Sequence, residues 1–489
     1  MSRRRQYLVL AICCLSLLIV GMDNTIVNVA LPSIAGSFHA DVADLQWVVD
    51  AYTVVIASLL ILSGSTADRL GRKRTFQTGL VVFTAGSLLC SFAPGLGWLV
   101  AFRMVQAVGG SMLNPVAMSI ITNVFTDPRE RSRAIGVWGG VVGLSLGVGP
   151  IVGGALTDAV GWRSIFWVNV PVGLLALVLT ALFVPESRAG HARRVDPLGQ
   201  LLIVALLGSL TYAIIESPRA GWGSPQVLGA VYAASVAAIV LALYEPRRAE
   251  PLIDFRFFRS LPFAGATVTG VCAFGAYSGF LFLGTLYLQG VRGLSPLHAG
   301  LVSTPMAVMV LVGAPLSGRM VGNRGPRLPM VCAGLLMTGG SALLLSLSDT
   351  TSYLRIVVAF AVFAAGFGLV NPPITNAAVA GMPRSQAGVA AAFASTSRQV
   401  GATLGVAVIG AILNAGADTA PGAGLVDHVA TAQSVVLGCG VAVAVLGLAT
   451  TTARARASAA RTAAVLGDAS VEDVRDRAGP AAATVAASG

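Results

Sequence analysis

Charge is scarce in these 489 residues. Asp, Glu, Lys and Arg together make up 11%, against 55% hydrophobic residues, and the mean hydropathy is +0.80. A water-soluble domain of this composition would lack the polar surface to cover its core, so the chain reads as a polytopic membrane protein. Lysine occurs once, as Lys73, and the four histidines (His39, His191, His298, His428) all lie in loops or at the ends of apolar runs. A histidine proton relay therefore finds no support, which leaves carboxylates for any proton chemistry. The six cysteines (Cys13, Cys14, Cys90, Cys272, Cys332, Cys439) sit within apolar runs without C-x-x-C spacing, against a disulfide framework or a metal site. No H-E-x-x-H or Walker loop is present, and the one G-x-S-x-G match, Gly143 to Gly147, lies inside an apolar run rather than at a strand-to-helix turn, which argues against an enzyme and against intrinsic ATP-driven pumping. The net charge of +11 comes from arginines at the ends of apolar runs rather than from a basic face with interleaved aromatics. Lipid headgroups, not nucleic acid, are the partner it implies.

Long apolar runs are what the sequence has in abundance. Fourteen are long enough to cross a hydrocarbon core about 30 Å thick: 8–31, 45–65, 76–93, 98–122, 133–157, 163–184, 197–216, 226–245, 262–289, 298–320, 328–347, 353–375, 386–413 and 431–452. The fold class expected is all-α. Lys and Arg gather in alternate loops, at the N-terminus, Arg69 to Arg74, Arg129 to Arg133, Arg188 to Arg194, Arg247 to Arg259, Arg319 to Arg327, Arg384 and the C-terminal tail. The intervening loops hold only Arg163, Arg219, Arg292 and Arg355, so the positive-inside rule places both termini in the cytoplasm. Residues 453–489, rich in Ala, Arg and Asp without a sustained apolar face, read as a disordered cytoplasmic tail. The stretch Pro251 to Arg259, with Phe255, Phe257 and Phe258 beside Arg256 and Arg259, reads as an interfacial cytoplasmic helix.

Two ionisable residues fall deep inside apolar runs and are costly there. Asp23 interrupts the first run, and a charge at the bilayer centre costs about 2.5 to 3.5 kcal/mol on insertion scales. It is either a proton site or a cap near the far headgroups. Arg103, a few positions into the fourth run, either pairs with a buried acid or snorkels to the surface. Asp50 and Glu216 read as interfacial acids first and as cavity residues second. Arg398, Asn371, Gln106 and Asn28 are polar groups within apolar helices, suited to cavity lining or to helix-to-helix hydrogen bonds. Gly139, Gly143 and Gly147, spaced by four, give the fifth run a small-residue face, and Pro150 loosens its backbone.

A weak internal repeat links the turn Gly64-Ser-Thr-Ala-Asp68-Arg-Leu-Gly71-Arg72-Lys73-Arg74 with Gly318-Arg-Met-Val-Gly-Asn-Arg-Gly-Pro-Arg327, which lacks the acid at the Asp68 position. With three further stretches, this turn makes the sequence resemble the major facilitator superfamily and, within it, the fourteen-helix drug:proton antiporter branch of EmrB/QacA type. Asp23-Asn-Thr-Ile-Val-Asn28-Val-Ala-Leu-Pro32 resembles that branch's first-span motif, and Arg103-Met-Val-Gln106-Ala-Val-Gly-Gly110 its fourth-span motif. Gly143-Leu-Ser-Leu-Gly147-Val-Gly149-Pro150-Ile-Val-Gly153-Gly154 is similar to the fifth-span antiporter motif, extended by Trp162 to Pro171.

The resemblance implies a major facilitator fold: an N-terminal six-helix bundle over 1–190, two linker spans and a cytoplasmic amphipathic stretch over 191–260, and a C-terminal six-helix bundle over 261–452. It implies alternating access, with Asp23 and Arg103 as a protonation-sensitive pair. Asp68, Gly71 and Arg72 would form a cytoplasmic gate, in which Asp68 meets the start of the thirteenth span near Gln386. The expected function is proton-coupled efflux of amphiphilic drugs or antibiotics across the plasma membrane, with protons as the only coupling partner, no cofactor, and a monomer as the working unit. The competing expectation is an exporter or uniporter of one metabolite or natural product without obligatory proton coupling.

Overall fold

The computed structural model describes residues 2–188, 196–248, 254–380, 382, 387–414 and 423–466. Among them the chain is helical throughout, without strands. That is the form a chain with few polar side chains must take in lipid, where each backbone N–H and C=O has to be satisfied within its own segment.

The helices are α1 (Arg3–Phe38), α2 (Val42–Leu70), α3 (Arg72–Ser91), α4 (Leu96–Val124), α5 (Pro128–Ala159), α6 (Ser164–Trp167), α7 (Asn169–Phe183), α8 (Pro197–Ala220) and α9 (Pro225–Tyr244). After them come α10 (Leu261–Leu286), α11 (Pro296–Val302), α12 (Thr304–Arg324), α13 (Arg327–Ala342), α14 (Tyr353–Val379), α15 (Ala387–Asn414) and α16 (Ala423–Ala449). Their starts are written in the sequence. Asp41 and Asp44 form a capping box on α2, and Asp127, Asp196, Ser224 and Ser295 each cap a helix that begins with proline. Gly71, at φ +114°, makes the break between α2 and α3 that a residue with a Cβ would resist.

Helix occupies every one of the fourteen apolar runs. Twelve of the helical segments among the described residues are long and apolar enough to cross a membrane. Outside those twelve stand α3, which opens with Arg72, Lys73 and Arg74, and α13, with 16 residues. The sixth run is not one helix but two, α6 and α7, and the ninth ends in a π-helical turn at Tyr287–Val291.

Packing divides the helices. α1 lies along α5, α4 and α7, while α3 packs on α4 and α7, and α2 on α4. In the second group α10 packs on α15, α16 and α14, α12 on α14, and α13 on α14 and α16. α2 against α15 and α5 against α11 and α12 join the groups, and the α8–α9 pair lies outside the joint with α8 touching both α2 and α15.

Two sequence expectations change. The tail expected to be disordered from 453 begins with a helix over 453–466, α17, in which Ala455, Ser458 and Leu466 are buried and Ser458 Oγ accepts from Leu261 N at 3.0 Å. Small residues every third or fourth position give it a narrow face that suits the start of α10, a stripe too weak to register as apolar periodicity. The amphipathic stretch reduces to a single 3-10 turn, Phe255–Arg259, with Phe257 buried against Phe263. Residues 251–253 of that stretch, His191, Arg384 and the start of the thirteenth span at Gln386 lie outside the described residues.

Candidate functional site

Asp23 and Arg103 meet. The Arg103 Nη1 donates to Asp23 Oδ2 at 2.5 Å, and the two side chains are 1% and 0% exposed. Arg103 stands seven residues into α4, within the helix packing, so the alternative of a snorkelling arginine is ruled out. The carboxylate also accepts from Gln106 Nε2 and from Asn169 Nδ2, each at 2.9 Å at Oδ1. Three donors from α4 and α7 thus converge on one acid from α1, the arrangement a buried charge requires.

Further hydrogen bonds tie the cluster together, while Asn169 Oδ1 and the Tyr52 hydroxyl are buried without a partner among the described residues. Gln106 Oε1 accepts from Arg103 Nη1 at 2.8 Å, Arg103 Nε donates to Val48 O at 3.3 Å, and Asn169 Nδ2 also donates to Ser87 Oγ at 3.1 Å. Tyr52 covers the guanidinium, its ring centroid 4.0 Å from Cζ. Gln106, expected as a cavity residue, is therefore a member of the ion-pair network. Asn169, Ser87 and Tyr52 complete it although sequence reasoning assigned them no role; the signal available was an uncharged amide, Asn169, inside an apolar run.

Asp50 is fully buried within the helix packing. Its Oδ1 accepts from Thr53 Oγ1 at 3.3 Å, and its Oδ2 has no hydrogen-bond partner. Thr53 also accepts from Thr403 Oγ1 of α15 at 2.9 Å, which sets Asp50 at the joint between the two helix groups. Glu216 accepts from Trp47 Nε1 at 2.9 Å, and Arg219 lies beside it with Asp41 and Asp44, fastening α8 to the start of α2. Asn28 is buried in α1 with Oδ1 unpartnered. On the other side, Arg398 donates to Ser395 Oγ at 2.7 Å and to Thr375 Oγ1 at 3.3 Å, one turn from Asn371 on α14.

The glycine motif on α5 faces two ways. A Cβ at Gly153 would stand 2.9 Å from Ile26 O of α1, and one at Gly149 would collide with Thr25. A Cβ at Gly154 would stand 2.5 Å from Pro296 O of α11, one at Gly147 would meet Ala307 of α12, and one at Gly143 would stand 3.3 Å from Leu311 Cα. Pro150 O lies against Gly300. α5 is thereby wedged between α1, two residues beyond Asp23, and the second helix group.

At the other end of the first group, Asp68 pairs with Arg72 at 3.2 Å within the α2–α3 turn. Glu186, which the sequence reading passed over, accepts from Lys73 N at 3.1 Å and lies 3.8 Å from Arg74, tying the turn to the end of α7. Its only signal in the sequence is an acid immediately after an apolar run that ends on a basic side.

The family model of the Major Facilitator Superfamily matches residues 13–406. The multidrug resistance protein Stp of Mycobacterium tuberculosis is 37% identical over 412 residues, covering 84% of this chain and 76% of that protein. The tetracenomycin C resistance and export protein of Streptomyces glaucescens is 35% identical over 413 residues, 84% of this chain and 76% of that one. The puromycin resistance protein pur8 of Streptomyces alboniger is 36% identical over 448 residues, 90% and 88% of the two chains. Among solved structures, a bacterial homolog of the human lysosomal transporter Spinster in an inward-facing and occupied conformation has the same fold, with a TM-score of 0.65 over 94% of this chain and 98% of that one at 18% identity.

Proposed function

The chain belongs to the major facilitator superfamily as a multi-pass membrane transporter rather than an enzyme, and on that premise we propose that it is a proton-coupled antiporter exporting amphiphilic drugs or antibiotics. Relatives named for resistance to or export of multiple drugs, tetracenomycin C and puromycin support the substrate class. In this reading the chain lies in the plasma membrane as a monomer with both termini cytoplasmic. α3 and α13 cross with the other twelve spans, giving the fourteen spans of the EmrB/QacA type. Residues 1–190 and 261–452 rock as two halves, and 191–260 supply the inserted pair.

The buried Asp23–Arg103 pair carries the proposal. A proton added to Asp23 would turn one acceptor oxygen into a donor facing the donors of Arg103, Gln106 and Asn169, so the network must rearrange. Rearrangement at Asp23 reaches Thr25 and Ile26, which seat Gly149 and Gly153 of α5, and through Gly147 and Gly154 the opposing α11 and α12. Protonation and the joint between the halves are coupled through one wedge. Protons entering down an inside-negative potential supply about 2.3 kcal/mol per charge per 100 mV, and Asp68, Gly71 and Arg72 form the cytoplasmic gate.

The test is uptake of rhodamine 6G, a lipophilic cation, into inside-out vesicles energised by a pH gradient. Wild type accumulates the dye and loses it on addition of an uncoupler, whereas Asp23→Asn accumulates none. Uncoupler-sensitive uptake that survives in Asp23→Asn moves the proton site to Asp50, and uptake indifferent to the uncoupler in wild type overturns proton coupling.

A further inference from the structure

Arg398 differs from Arg103 in having no counter-charge among the described residues. It lies eleven residues into α15, about 16 Å along that helix from Ala387. Among the described residues no carboxylate pairs with it; its donors go to two neutral hydroxyls, Ser395 and Thr375. The sequence explains the absence: from Leu261 to Asn414 the only acid is Asp349, in the turn between α13 and α14. In the first half, Asp23 is fully engaged by Arg103, and Asp50 reaches α15 only through Thr53 and Thr403, about 7.5 Å along that helix from Arg398. A guanidinium within a spanning helix and without an acid is expensive, and the surroundings offset little of it.

The same wall is built to receive something. Thr375 is exposed, while Asn371, Ser395 and Arg398 are half-buried, so the cluster keeps an open side. Beneath it the Phe274 ring lies 5.9 Å from the guanidinium carbon, Phe274 contacts Phe367 at 5.0 Å, and Phe367 stacks on Tyr277 at 4.0 Å and 10°. A fixed fork of N–H donors beside hydroxyl and amide groups, above an aromatic floor, is complementary to a planar apolar molecule carrying a carboxylate or similar anionic oxygen.

We propose that Arg398, with Asn371, Thr375 and Ser395, forms a subsite for the anionic group of an acidic amphiphile, so that the transported compounds include aromatic acids. The inference rests on the export function proposed above and names a substrate class for it. Purified protein in lipid nanodiscs is titrated against 6-carboxyfluorescein by fluorescence anisotropy, in gluconate and in chloride buffer. Gradient-driven uptake of the same anion and of rhodamine 6G is followed in vesicles. Wild type binds the anion; Arg398→Gln weakens binding about tenfold or more, Arg398→Lys recovers part of it, and the variants' melting temperatures report whether they fold. The ratio of anion to cation uptake falls in Arg398→Gln. Absent binding in wild type, equal binding by a folded Arg398→Gln, or binding abolished by chloride overturns the inference. Rhodamine 6G uptake without any binding of the anion overturns it while leaving the export function standing. Arg398-dependent binding without uptake of either dye supports the subsite and counts against the function.

Discussion

At the scale of single residues, two of the buried carboxylates, Asp23 and Asp50, make opposite demands. Removing a partner from Asp23 leaves a charge stranded where no water replaces it. Arg103→Ala is expected to destabilise the protein by about 3 to 5 kcal/mol, seen as a lowered melting temperature in detergent. Arg103→Lys recovers only part of this, because one ammonium cannot serve Asp23, Gln106 Oε1 and Val48 O at once. Asp50→Asn behaves differently. It breaks no ion pair and keeps an oxygen for Thr53, so the melting temperature is expected to hold. Transport then decides its role: pH-gradient dependence that persists in Asp50→Asn confines coupling to Asp23, and its loss makes the joint itself a proton site. That Asp23 and Arg103 each need a partner was legible in the sequence, because a charge among apolar residues is costly, but that they partner each other was implied only by the family resemblance. Asn169, Ser87 and Glu186 were not legible, since an uncharged amide or hydroxyl in a helix, or an acid at its end, carries too little penalty to demand a particular partner.

Elements show the same division between what local pattern dictates and what packing adds. The fourteen helical runs follow from hydrophobic length, and their starts from Asp-Pro and Ser-Pro caps. The break between α6 and α7 and the π-helical turn at Tyr287–Val291 have no such local signal, whereas the helix over 453–466 is rich in Ala and Arg, which favour helix on their own. The α5 glycines are intermediate: spacing marks them as a contact face, but only the structure shows that Gly149 and Gly153 face α1 while Gly143, Gly147 and Gly154 face α12 and α11. Gly154→Val should therefore act on the joint rather than on insertion. Its added carbon would stand 2.5 Å from the backbone oxygen of Pro296, which cannot rotate away as a side chain does. A cost of about 1 to 3 kcal/mol falls on the state in which α5 and α11 touch. Expression and membrane insertion are expected to match wild type, while uptake of rhodamine 6G falls roughly five- to 150-fold. Gly136→Ala, on the same helix with nothing within 4 Å, is the matched control and should transport normally. Equal loss in both variants would mean that the helix, not the contact, is at fault.

Across the whole molecule, the contacts between the two helix groups gather toward one end. Gln46 Nε2 donates to Ala407 O at 2.8 Å, Gln289 Nε2 to Val29 O at 2.7 Å, and Asp158 Oδ2 accepts from Ser295 Oγ at 2.9 Å and Leu297 N at 3.0 Å. All belong to the halves of α1, α2 and α5 that lie toward Phe38, Val42 and Ala159. At the α2–α3 turn, the bonds that Asp68, Arg72, Lys73 and Glu186 make with one another and with the end of α7 lie within the first group. An alternating-access transporter must break the first set and form contacts at the second end in every cycle. Asp158 and Ser295 are side chains in direct contact, so the pair Asp158→Cys and Ser295→Cys should form a disulfide under mild oxidation in resting membranes. The crosslink is expected to hold that end shut and reduce uptake to background, with recovery on adding reductant. If the crosslinked protein still transports, the Asp158 end does not open during the cycle, and the wedge argument for α5 falls with it. If it is trapped but retains one high-affinity binding event for dye offered at the Asp68 end, the closed end and the access path are assigned in a single experiment.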